Sequence, residues 1–320
     1  MIVEETTMKR FRGLMLCLAV LLASLAAEAQ ITIKLKNSFI NEFREKVTIS
    51  ANFTVDATSK IHPPSQDGDI HIAGRAPEIG LGSVAEVMNA KMEAKTVVKQ
   101  IQSMAGTDTP IKLTGVWRLW CEHGGQINQV QGQDPGPMAS SGATHVFEIH
   151  PITDVAGTSV LETIQPISGF QYKDADEAFT AYERTNEQII PDTDATTLVT
   201  EKVGFNYVEF VLEIESDSNV HSVVDGTFAL ADVLDLQLEK IVHRRRMVFI
   251  KGTPADDLVK TLKPGDRLHV IGIPRINLEL VHWRLQHADD PRKPLTWNLP
   301  YEVVIVGLVE QLDPAGTQLN

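Results

Sequence analysis

Asp67, Asp69 and His71 stand at alternate positions in Asp67-Gly68-Asp69-Ile70-His71, so in an extended strand their side chains project from one face. The same period of two places Glu148 with His150 in the segment His145–Pro151, and Cys121 with His123 in Arg118–His123. Carboxylates and imidazoles gathered from three strands are ordinary ligands for zinc and related divalent ions. A metal held there would lower the pKa of a bound water and supply hydroxide for hydrolysis. These spacings form no specific metal signature, and a plainer reading stays open: buried His and Asp side chains also tie strands together through hydrogen bonds alone. Glu148 would act as a general base if burial raised its pKa. Cys121 paired with His123 or His150 would make a thiol nucleophile, although a solitary cysteine more often fills apolar space.

These groups need strands to carry them. The run from Val47 to Val55 is rich in β-branched residues, Asp69–Gly74 alternates, and Ser83–Ala90 continues the pattern. Met92–Met104 has helical spacing and is stopped by Gly106 and Pro110. Ile111–His123 and His145–Ile152 read as further strands, separated by a loop at Gly124–Gly142 rich in Gly, Gln, Pro and Ser. Asp174 is placed to cap a helix over Ala175–Glu187. Beyond it come five β segments, around Phe205–Ser216, His221–Leu230, Arg244–Gly252, Gly265–Ile273 and Tyr301–Glu310, with a short helix at Pro254–Leu262.

Lys9, Arg10 and Arg12 precede an apolar run from Leu14 to Leu25, and Ala27-Glu28-Ala29 has the small residues of a signal-peptidase site. The run falls well short of the ~20 residues that span a bilayer. Residues 1–29 are therefore expected to be a removable signal peptide, giving an exported chain, periplasmic or extracellular, with no transmembrane segment after processing. Of the two cysteines, Cys17 leaves with the leader. Cys121 then has no partner for an internal disulfide, even in an oxidising compartment.

The formal net charge of −13 survives removal of the leader, because three acidic and three basic residues leave together. An acidic chain repels polyanions at long range, which disfavours nucleic acid as a general partner. The one concentrated basic stretch is His243-Arg244-Arg245-Arg246 followed by Lys251. Arg244, Arg245, Arg246 and Lys251 are the candidates for an anionic-ligand surface, with a salt-bridged barrel wall as the alternative. Gly-rich phosphate loops, Gly-x-Ser-x-Gly elbows, paired-Cys zinc motifs and haem-attachment motifs are absent.

Two resemblances add to this. Phe249–Arg275, FIKGTPADDLVKTLKPGDRLHVIGIPR, resembles part of single-strand-binding OB domains, in which a strand and a short helix lead through a Lys-x-Gly-Asp turn into the next strand. The first half, through DGDIHIAGR, SVAEVMNA, LTGVWRLWCEHGG and HVFEIHPI, resembles a group of uncharacterised secreted proteins with the pattern Asp-x-Asp-x-His … Glu-x-His-Pro. The second resemblance implies a small β-barrel and one constellation of Asp69, His71, Glu86, His123, Glu148 and His150. It brings no reaction with it.

The expected fold is mainly β with a few helices (α+β): two small β-barrel domains, at least one OB-like. Residues 30–157 would carry the His/acidic cluster, and residues 158–320 would form the OB-like unit. Three functions stay open. The first is a binding or structural module of unknown ligand. The second is a metal-dependent hydrolase, of phosphodiesterase or nuclease type, using Asp69, His71, His123, Glu148 and His150 around a divalent metal. The third is a binder of anionic polymer or single-stranded nucleic acid through the basic strand. Whether the chain is an enzyme is left undecided.

Overall fold

The structure is a computed structural model and describes residues 30–90, 94–125, 128–216, 219–290, 292–313, 316 and 318. The expected leader lies outside the described residues. The chain enters on β1 (Ile31–Lys36) and α1 (Asn37–Phe43). There follow β2 (Thr48–Thr58), β3 (Ile70–Arg75), β4 (Gly82–Val87), α2 (Lys95–Met104), β5 (Pro110–Leu119), the short β6 (Gln129–Val130), β7 (Phe147–Val155) and β8 (Thr158–Ser159). A linking region holds α3 (Ala175–Arg184), β9 (Asn186–Pro191) and β10 (Ala195–Thr200). The last stretch runs through β11 (Val208–Glu213), β12 (Val220–Val223), β13 (Gly226–Leu234), β14 (Lys240–Ile250) and α4 (Pro254–Val259). It ends with β15 (Arg267–Ile276), α5 (Leu278–Gln286), β16 (Leu295–Asn298) and β17 (Tyr301–Leu312).

Two closed five-stranded barrels result. In the first, β2 pairs with β3 and β5, β3 with β4, β5 with β7, and β4 closes the ring by pairing in parallel with β7. In the second, β11, β13, β14, β15 and β17 repeat that pattern, with β14 closing in parallel on β17. Three strands, a helix and two strands, with the third and fifth parallel, is the OB order in both halves, and closure leaves neither barrel an open edge.

Some local expectations are corrected. The strand expected over His145–Ile152 starts at Phe147 and continues to Val155. The segment expected as one strand over His221–Leu230 is a hairpin, β12 turning into β13. Asp174 caps its helix as expected, accepting from the Glu177 N–H at 3.0 Å, but the helix stops at Arg184, where β9 takes over.

A third sheet, in the order β16-β9-β10-β1-β6, draws strands from both halves of the chain. Its centre is built by alternation: Ile31, Ile33 and Leu35 are buried and the residues between them are not. Alternation also sorts the barrel walls. On β7, Phe147 and Ile149 enter the main core with Phe53, Leu113 and Phe210, so Glu148 and His150 point outward from the first barrel. That outer wall faces the second barrel. A separate apolar cluster joins Val47, Met88 and Val116 to Val248, Ile271, Ile273 and Val304, and forms the seam between the barrels.

Candidate metal centre at the barrel seam

The cross-strand register places the polar groups. His71 on β3 lies opposite Glu86 on β4, and Arg118 on β5 lies opposite Glu148 on β7. β4 and β7 run in parallel with Val84 beside Glu148, which sets Glu86 next to His150. Buried carboxylates at these positions need partners. Arg118, with no exposed side-chain surface, pairs with Glu148 through Nη1, and its Nε donates to the Pro274 carbonyl of the second barrel at 2.8 Å.

The second barrel contributes from the other side. Phe205 and Tyr207 have left-handed backbones, φ 66° and 54°, conformations that cost bulky residues about 1–3 kcal/mol each. The bent segment delivers the Asn206 side-chain Oδ1 to Arg118 Nη2, and Tyr207 to Asp69 and His150. The Tyr207 hydroxyl donates to Asp69 Oδ2, so it accepts from His150 Nε2–H at 2.8 Å. That assignment engages Nε2 and leaves Nδ1 for the carboxylates. Nδ1 lies 3.2 Å from Glu86 Oε2 and 3.4 Å from Glu148 Oε2, and is buried without a hydrogen-bond partner.

His145 repeats the problem. Its Nδ1–H donates to the Ala143 carbonyl at 2.7 Å, which turns Nε2 toward Glu148 Oε1 at 3.4 Å. Nε2 too is buried without a hydrogen-bond partner, as is Glu122 Oε2, 3.9 Å from His123 Nε2. The His123 ring stacks on that of His145 with centroids 5.0 Å apart, and 44% of its side-chain surface is exposed. One ligand atom each from His123, His145 and Glu148 lies within 4.8 Å of the others, and the same holds for Asp69, Glu86 and His150.

The electrostatics match this crowding of acceptors. Burial raises Asp69 well above the usual carboxylate range, and raises Glu86 to about 7. For Glu148 the cost of burial is overcome by Arg118 and the facing imidazoles, which hold it well below that range. Burial depresses His123 to about 4, helped by the neighbouring His145. For His145 itself, burial is outweighed by Glu148, which lifts it above its ordinary value. Imidazole nitrogens of His145 and His150 and the carboxylates of Glu86 and Glu148 thus converge around a single arginine, and a proton or a metal ion between ring and carboxylate would relieve the contact.

All six residues expected from sequence lie along this wall, with Asp69, Glu86, Glu148 and His150 buried together. His71 sits at one rim, 3.7 Å from Glu86 Oε2, and His123 at the other. Sequence reasoning missed His145, Glu122, Arg118 and Tyr207. Strand parity sets His145 on the face opposite Glu148, but β7 begins at Phe147, so His145 precedes the strand and is not bound by its alternation. Cys121 is buried and its thiol is pushed far up by burial and by the nearby Glu187, which leaves it inert as a nucleophile.

The basic strand is largely engaged. Arg245 pairs with Glu183 and lies over the Tyr301 ring, Arg246 reaches Glu302 at 3.2 Å, and the Lys251 ammonium donates to the Val224 carbonyl at 2.9 Å. Arg244 is half exposed and 3.8 Å from Glu215. No protein-family model matches the chain, and no curated protein matches it.

Proposed function

We propose that this chain is an exported two-barrel module that binds a divalent transition-metal ion at the seam, with His123, His145 and Glu148 as ligands. Spacing carries the reading. Charge-assisted hydrogen bonds run at ~2.7–2.9 Å, whereas two ligands each ~2.0–2.2 Å from a tetrahedral ion sit about 3.3–3.5 Å apart. His145 Nε2 and Glu148 Oε1 are 3.4 Å apart, the edge of such a tetrahedron. The His145 Nδ1–H on the Ala143 carbonyl supports the reading, because a ligating imidazole is held by donating its other N–H in this way. Glu86, His150 and Asp69 back the ligands from within the seam, and Glu122 stands beside His123.

Zinc titration of the metal-stripped protein, followed by calorimetry and by thermal melting, tests this. Zinc is expected to raise the melting temperature of the wild type, and His145→Ala is expected to weaken that seam site at least tenfold. Zinc binding and stabilisation unaltered by His145→Ala would refute the site.

One observation favours hydrolysis as a second reading. Two imidazoles and one carboxylate, with His123 open to solvent, leave a coordination position for water, the arrangement of catalytic zinc sites. Zinc-dependent cleavage of an activated phosphodiester, lost in His145→Ala, would establish it. Binding without turnover would leave the module reading alone.

A further inference from the structure

The loop from His62 to His71 at the rim of the first barrel is built around one carboxylate. The backbone N–H groups of Gln66, Asp67 and Gly68 all donate to the Pro63 carbonyl, at 2.9–3.3 Å, and the His62 N–H donates to the Asp69 carbonyl at 2.8 Å. Gly68 holds φ 75°, a conformation a side chain would strain, and its carbonyl accepts from the Ala90 N–H at 2.9 Å. The turn therefore holds Asp67 between two imidazoles.

Asp67 Oδ1 accepts from His62 Nδ1–H at 2.7 Å and from the Asp69 N–H at 3.1 Å. That bond turns His62 Nδ1 toward the carboxylate, so an ion joining the two would take the place of the shared proton, which is released on binding. The other oxygen, Oδ2, faces His71 Nε2 at 3.9 Å. This is too far for a hydrogen bond, and a small closing movement would bring both to one ion. The two rings meet edge to face with centroids 4.5 Å apart, and one ligand atom from each of the three residues lies within 4.8 Å of the others. All three side chains are 17–24% exposed, so an ion and its waters can reach them.

We propose that His62, Asp67 and His71 form a second site for a divalent transition metal, separate from the seam site. The two share no ligand, so either can exist without the other.

The test counts zinc ions bound by the metal-stripped full chain, by elemental analysis and calorimetry, in three proteins: wild type, the His62→Ala/His71→Ala double variant, and His145→Ala. The wild type is expected to bind two equivalents and each variant one, with the double variant retaining the zinc-induced rise in melting temperature that belongs to the seam. A single wild-type equivalent that survives in His145→Ala and disappears in the double variant would support this site and remove the seam site. Three results would overturn it: a double variant that binds as many ions as the wild type, a single wild-type ion that is lost in both variants, or no binding at all. Circular dichroism of the double variant, repeated with His62→Gln/His71→Gln, separates loss of the site from loss of the fold.

Discussion

Arg118 opposite Glu148 in the first barrel and Arg275 opposite Glu302 in the second occupy the same place in the same strand order. The two arginines also act reciprocally across the seam. Arg118 donates to the Pro274 carbonyl at 2.8 Å, and Arg275, with its guanidinium over the Trp117 ring, donates to the Trp117 carbonyl at 3.0 Å. Trp117 and Pro274 are themselves equivalent, each preceding its arginine, so the barrels meet as two copies of one unit meet about a local twofold axis.

Around this shared pair the barrels diverge. The positions of Glu86 and His150 are taken in the second barrel by Val248 and Val304, which pair with each other and pack into the apolar seam. The second barrel thus forms its half of the seam with one glutamate held by two arginines, Arg275 and Arg246, and with valines and isoleucines. The first spends three buried carboxylates and two buried imidazoles on the same task, at a desolvation cost that the contact does not require. This excess supports the proposed seam ligand, since the contact between the barrels does not call for it.

Arg275→Ala offers the largest break in this comparison. It leaves Glu302 with Arg246 alone, at 3.2 Å, and removes donors from the carbonyls of Lys46, Val47 and Trp117, and should cost about 3–5 kcal/mol in urea unfolding. Arg118→Ala should cost less, because only one backbone carbonyl, that of Pro274, loses a donor and Glu148 keeps His145 and His150 beside it. Equal losses would show that the imidazoles do nothing for that carboxylate.

Glu187, in the third sheet, sharpens the comparison from outside. Neither of its oxygens has a hydrogen-bond partner, and burial, opposed only by the charge of Arg284, pushes it up to about 8. Between an unfolded value near 4.5 and about 8 the folded chain holds the extra proton, so stability falls as pH rises through that window and levels off above it. Glu187→Gln should remove the fall, on the order of 3 kcal/mol between pH 5 and pH 8. An unchanged difference between urea unfolding at these two pH values would reject the assignment.

The smallest effects are expected at the paired glycines. A Cβ on Gly115 would lie 2.5 Å from Ile149 Cγ2 and 2.6 Å from the Pro151 carbonyl oxygen, and one on Gly272 would lie 2.4 Å from Val303 Cγ1. Ile149 and Val303 are equivalent residues, so Gly115→Ala and Gly272→Ala should each lower stability by about 1–2 kcal/mol. A variant that melts like the wild type would break the equivalence at that position.

Strand content, the helix between the third and fourth barrel strands, the start of α3 after Asp174, and the shared face of Glu148 and His150 were legible in the residues, because strand and helix periods and a capping Asp act over a few positions. The duplication was not legible. It rests on glycine, arginine and glutamate at matching places, Gly115, Arg118 and Glu148 against Gly272, Arg275 and Glu302, scattered among residues that match only in being apolar.

The sequence alone determined which side chains alternate to the outside of each strand, since that follows from backbone geometry within the strand. Tertiary structure decided what the outside meets. The outer wall of the first barrel carries the acidic and imidazole groups, and contact with the second barrel removes them from water. It also brings Tyr207 to Asp69 and gathers β1, β9 and β16 into one sheet. Those contacts join residues far apart in the chain, and no local rule of spacing encodes them.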